Sequence, residues 1–206
     1  MARLNVNPTR MELKKLKARL ATATRGHKLL KDKSDEMIRR FTVMIREAKF
    51  LREEVETEIS GVLKQFAIAR SVTPSYEAET AFSMPSVAVT ALCETESVMG
   101  VDVPKISIEK GKNTGGLPYA YSEITAEADY SVEKASGLLP KMVALAQTEK
   151  TVRMLAEEIE RNKRRVNALE YVMIPQLEET IKYIKDKLDE NERAAVVRLM
   201  KVKSKA

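Results

Sequence analysis

The chain has one histidine, His27, and one cysteine, Cys93, far apart in sequence. Zinc sites draw several His or Cys ligands at short, regular spacings, so this pair supplies no metal site. A single cysteine also excludes an internal disulfide framework and points to a reducing compartment. His27 falls on an apolar stripe between Ala23 and Leu30, which favours a half-buried imidazole bonded across a helix pair over a general base. The carboxylate pairs Glu157/Glu158 and Glu178/Glu179 fall on polar helical faces and read as solvated surface rather than acid–base machinery. Gly111-Lys112-Asn113-Thr114-Gly115-Gly116 has the look of a phosphate loop. It lacks the Gly-Lys-Ser/Thr ending and the strand–loop–helix setting, so it is read as a flexible turn. No catalytic, cofactor or metal residue is therefore assigned.

Basic side chains are the remaining chemistry. Arg161-Asn162-Lys163-Arg164-Arg165 could grip phosphates or an acidic protein surface. Stacking aromatics are not interleaved with the run, and Glu157, Glu158 and Glu160 precede it, which favours a protein partner or a solvated face over single-stranded nucleic acid. Charge is separated along the chain. Residues 1–40 carry twelve Lys/Arg against four Asp/Glu, residues 72–137 carry four against ten, and residues 191–206 carry five against one. If the termini lie side by side, one tip is strongly basic and the bend is acidic, and each end suits a different partner.

Two long heptad seams position these groups. Leu13, Leu16, Leu20, Ala23, His27, Leu30, Ser34, Met37, Phe41, Met44, Ala48 and Leu51 alternate steps of three and four. The seam continues through Val55, Ile59, Val62 and Phe66, with a stutter at Leu51–Val55–Ile59. Pro8 and Thr9 mark its start, with Glu12 placed for a capping box, and Pro74 follows its end. About 60 residues of helix make a rod of roughly 90 Å, the dimension of a lever or shaft. A second seam runs from Met142 and Leu145 through Val152, Leu155, Ile159, Val166, Leu169 and Met173 to Leu177, Ile181, Ile184 and Leu188. Pro175 interrupts it, removing the bond to the carbonyl of Tyr171, so a kink is expected there.

The predicted fold is all-α dominated: a long antiparallel two-helix coiled-coil hairpin with a small irregular middle segment containing a β-hairpin. Its parts are an N-terminal coiled-coil arm, residues 1–71, a middle segment, residues 72–137, and a C-terminal arm, residues 138–206. In the middle, Val87-Ala88-Val89 and Ile106-Ser107-Ile108 are short β-like runs among Pro85, Gly100, Pro104 and Gly111. The helical pattern resumes around Ile124, Ala128 and Val132, and Gly137 with Pro140 suggests a bend. With 44% hydrophobic, 32% charged and only 5% aromatic residues, the composition fits solvent-washed helices better than a thick core. Neither a signal peptide nor a membrane span is apparent, so a cytoplasmic, soluble chain is expected.

Three stretches together carry a family resemblance. They are Asn7-Pro8-Thr9-Arg10 with Leu13; Gly26-His27-Lys28-Leu29-Leu30-Lys31-Asp32-Lys33; and the run from Arg164-Arg165-Val166-Asn167-Ala168-Leu169-Glu170-Tyr171 through Ile174-Pro175 to Leu188-Asp189-Glu190. The combination resembles the D subunit, the central-stalk rotor component of the V-type and archaeal-type (A-type) rotary ATPases and ATP synthases. The resemblance implies a non-catalytic shaft without cofactor, seated in a ring of A and B subunits that hold the nucleotide. It also implies contacts with the small F subunit of the stalk and with a connector to the membrane rotor ring. A cytoplasmic location peripheral to the membrane follows, with no nucleic acid and no direct membrane insertion. Such a shaft would couple ATP hydrolysis or synthesis to ion (proton or sodium) transport. The candidate partner-binding residues are Arg164, Arg165, Pro175, and, on the basic tip, Lys201 and Lys203. The residues alone leave open a free-standing coiled-coil adaptor without ATPase association and, more distantly, a nucleic-acid-binding hairpin. The γ-type stalk of F-type ATPases is a near neighbour whose termini the arm motifs do not match.

Overall fold

The computed structural model describes residues 4–83, 88–111, 119 and 125–204. Pro85, Val87, residues 112–116 and Ile124 lie outside that set. The first helix, α1, spans Arg10–Val72, 63 residues. Thr9 caps it: its hydroxyl accepts the backbone N–H of Glu12 at 3.2 Å. Only half of the capping box forms. The Glu12 carboxylate accepts from Lys15 Nζ at 2.8 Å, and the Thr9 N–H donates to the Asn7 carbonyl at 2.9 Å.

The chain divides into two compact units. The first joins Met1–Ile38 to Glu158–Ala206. Here α1 lies antiparallel to the end of α3 (Ala126–Ala168), a π-helical turn (Leu169–Met173) and α4 (Ile174–Lys203). Partner numbers fall as α1 climbs: Arg10 meets Glu192, His27 Nε2 lies 3.3 Å from Glu170 Oε2, and Asn162 Nδ2 donates to Met37 Sδ at 3.4 Å. Leu16, Ala23, Leu177 and Ile184 form the core cluster. Asn162 is buried in the seam with the thioether as its polar partner, the kind of contact that fixes one register among several. Ahead of α1, the Leu4 N–H donates to the buried Thr180 hydroxyl at 3.2 Å, which fastens the N-terminal segment to α4.

The π turn corrects the second seam. Met173 is exposed, and Leu169 and Ile174 pack against the core cluster instead. The inward step is thus five residues long, from Leu169 to Ile174. The Ile174 N–H donates to the Leu169 carbonyl, the bond that defines this wider turn. Helix therefore continues through Pro175, and the surplus residue is absorbed in the turn before it. Proline has no N–H to place, so the backbone just ahead can open without forfeiting a donor.

The second unit is Arg39–Glu157, with Val55, Ala69, Leu138 and Leu155 buried. Met142 points outward, and Leu138 and Thr151 take inward positions outside the seam expected from spacing. The α-helix runs on both sides of Pro140. A short helix, α2 (Ser75–Ala81), follows Pro74. Beside it Phe82 meets Phe66 and Tyr119 edge-on, at centroid distances of 5.4 and 5.5 Å.

The β-hairpin is longer than the sequence suggests. Strand β1 (Val89–Val98) pairs antiparallel with β2 (Val101–Lys110) over ten uninterrupted residue pairs. Met99 and Gly100 join them, both at positive φ (56° and 81°), as a type I′ turn requires. Gly111 extends the ladder by donating to the Ala88 carbonyl at 2.8 Å, and a Cβ there would sit 2.9 Å from that oxygen. Methionine is a poor residue for the left-handed region. Met99→Asn is expected to stabilise the hairpin by about 0.5–1 kcal/mol, read as slower hydrogen exchange at the ladder amides.

Candidate partner-binding surface

Among the described residues no three His, Cys, Asp or Glu side chains lie close enough together to hold a metal ion. His27 is half-buried and bonded across the helix pair, as its seam position predicts. Surface charge is what remains. The first unit carries twenty-two Lys/Arg against thirteen Asp/Glu, and the second fourteen against seventeen.

Asn162 and Val166 turn inward on α3, so Arg161, Lys163, Arg164 and Arg165 all face solvent. Arg164 Nη2 donates to Glu160 Oε1 one turn earlier on the same helix. Pro175 is half-buried behind the π turn. Lys201 and Lys203 are exposed on the last turn of α4. The five candidate residues do not form one cluster: Arg164 and Lys203 stand about 60 Å apart along the helical path. Two outward apolar patches went unread in the sequence. One is Tyr171-Val172-Met173 on the π turn; the other is Val197, Leu199, Met200 and Val202 on the tip of α4.

In the second unit Lys141 Nζ bridges Glu54 at 2.7 Å and Glu58 at 2.5 Å. These hydrogen bonds, Glu54 first, hold the ammonium above its ordinary range. A raised lysine pKa contributes stability that is fully present below the unfolded value and is lost as pH climbs through the folded one. Thermal stability is therefore expected to fall at strongly alkaline pH, and Lys141→Met should flatten that limb of the profile. Glu190 behaves oppositely: Lys187, 2.7 Å away, holds its carboxyl below the usual range, so its contribution fades in acid.

Comparison with known proteins decides among the readings of this surface. The family model for the D subunit of ATP synthase matches residues 12–204. The D subunit of a V-type ATP synthase from Thermoanaerobacter sp. (strain X514) is 49% identical over 203 residues, covering 98% of this chain and 97% of the relative. Its counterpart from Clostridium botulinum (strain ATCC 19397 / Type A) is 50% identical over 205 residues, covering 98% and 95%.

The chain belongs to the family of ATP synthase D subunits.

The resemblance read from the arm motifs is the right one, and a free-standing adaptor is not favoured. The matched range takes in all but the first two residues of α1 and the whole of β1, β2, α3 and α4, so the exposed Arg164–Arg165 turn and the apolar tip of α4 are parts of a D subunit. No helix among the described residues is long and apolar enough to cross a membrane.

Proposed function

We propose that the chain is the central-stalk rotor shaft of a V-type or A-type rotary ATPase, coupling nucleotide turnover in a surrounding ring of A and B subunits to ion translocation through a membrane rotor ring. The observation that carries this is membership of the D-subunit family along nearly the whole chain, together with antiparallel helix pairing within each unit. The shaft itself catalyses nothing. Its other partners are the small F subunit of the stalk and the connector above the rotor ring, on the cytoplasmic side.

A single asymmetric shaft meets chemically equivalent ring sites with different side chains, and those differential contacts bias each site toward a different state. The coupling is reciprocal, so turnover at the sites turns the shaft. The basic first unit is attracted to acidic groups on the ring, and Arg164 and Arg165 take part in that contact. Lys201, Lys203 and the apolar tip of α4 occupy the ring's axial bearing. Pro175 and the π turn supply local asymmetry.

Native complexes recovered through a tag inserted within residues 111–116 test the reading. A multi-subunit ATPase holding one copy of this chain is the expected result; an eluate without ATPase activity contradicts it. Alanine at both Arg164 and Arg165 is expected to slow ATP-driven turnover about tenfold, equivalent to losing roughly 1.4 kcal/mol of charged contact, with assembly retained. Normal turnover would reduce the pair to a solvated face.

A further inference from the structure

Among the described residues the β-hairpin presents one occupied edge and one open edge. In an antiparallel ladder, alternate residues direct their N–H and C=O groups inward to the partner strand, and the others direct them outward. The Gly111–Ala88 bond fixes that phase: even-numbered residues of β1 and odd-numbered residues of β2 bond inward. The outer edge of β2 is blunted. Pro104 has no N–H to offer, and the outward N–H of Ile106 donates to Gln147 Oε1 on α3 at 3.0 Å.

Among the described residues nothing covers the outer edge of β1 in this way. Val89, Ala91, Cys93, Thr95 and Ser97 direct their backbone groups outward, and every residue from Val89 to Ser97 is exposed. Proline, lysine and bulges, the usual protections of an edge strand, are all absent from β1. Glu94 and Glu96 project from one face of this strand, and Lys105 on β2 sits 3.5 Å from Glu96. A second copy of the chain is a poor occupant. Antiparallel self-pairing about Thr95 sets Glu94 against Glu96 twice, and like charges directly opposite are destabilising.

We propose that the outer edge of β1 docks an extended strand of another protein carrying Lys or Arg at alternate positions. The added strand takes up the outward N–H and C=O groups of Ala91, Cys93, Thr95 and Ser97. Its basic side chains lie beside Glu94 and Glu96.

The test uses the full-length chain and a blocked synthetic peptide of alternating Lys and Thr, with an alternating Glu and Thr peptide for comparison. At a free concentration of ten times Kd, hydrogen exchange at Ala91, Cys93, Thr95 and Ser97 is expected to slow about tenfold, while the α-helical amides are unchanged. The Glu peptide should bind at least about fivefold more weakly. Cys93→Pro removes one outward donor without touching an inward bond and should abolish the protection. The double variant Glu94→Lys/Glu96→Lys leaves the backbone intact and should reverse the preference between the peptides. That variant decides the matter if Cys93→Pro also loses the hairpin's own protection. Equal affinity for both peptides, an unreversed preference, protection confined to other amides, or a β1-mediated dimer of the chain alone in sedimentation would each overturn the proposal.

Discussion

Replacing Ile184 with alanine is expected to cost the isolated chain about 3 kcal/mol, and Leu177→Ala a similar amount. Both side chains are almost wholly excluded from solvent in the core cluster of the first unit. A two-helix seam has no second layer to collapse into the space left behind, which puts the cost toward the middle or upper part of the range for buried aliphatic truncation. Exposed neighbours provide the contrast. Leu199→Ala, at 70% exposure, should leave the stability of the isolated chain nearly unchanged. Thermal or urea unfolding of the isolated chain measures both. Equal effects at Ile184 and Leu199 would mean that the terminal arms are not paired through this seam.

The π turn carries the second large effect. Deleting Val172 removes the surplus residue, so Leu169 and the residues after the deletion can follow ordinary α-helical spacing without changing which face Leu177 and Ile184 present. Tyr171 and Met173 then lose their present arrangement on the outer face. The chain should fold with stability within about 1 kcal/mol of the parent, since the deletion touches no buried side chain. Ion transport per ATP hydrolysed should drop while the yield of assembled complex holds. Pro175→Ala should act in the same direction and more weakly: it restores an N–H that can bond in the α pattern but leaves the surplus residue in place. Unchanged coupling in the deletion variant would show that the outward face of the turn plays no part in torque transmission.

Much of the fold was legible because a seam leaves a strong periodic trace. Each residue from Leu13 to Leu51 that alternates by three and four is buried or half-buried on α1. Two misreadings have different physical origins. Met173 follows Leu169 by four residues, an ordinary seam step, and nothing in residue type distinguishes it from Ile174, which takes the inward place because the turn is one residue wider. Asn162 fell in a vacant heptad slot between Ile159 and Val166; polarity hid a seam position that spacing alone would have assigned.

The hairpin was only partly visible. Thr90-Ala91-Leu92-Cys93-Glu94-Thr95-Glu96-Ser97 is exposed throughout, so it lacks the apolar alternation that a half-buried strand carries, and Met-Gly is not a familiar I′ turn pair. Helix α2, with its seven residues, is too short to show a period. The surface was least legible. The arm motifs identify the family because many residues match together. Which outward faces meet the ring depends on the partner's shape, and no periodicity encodes that.

Cys93, exposed and the sole cysteine, allows rotation to be observed directly by attaching a probe there on the complete ATPase, with its catalytic ring immobilised. A rotor shaft requires that the probe turn continuously in one direction when ATP is added and stop when ATP is exhausted. A probe that stays fixed relative to the ring while ATP hydrolysis proceeds at its normal rate would contradict that role.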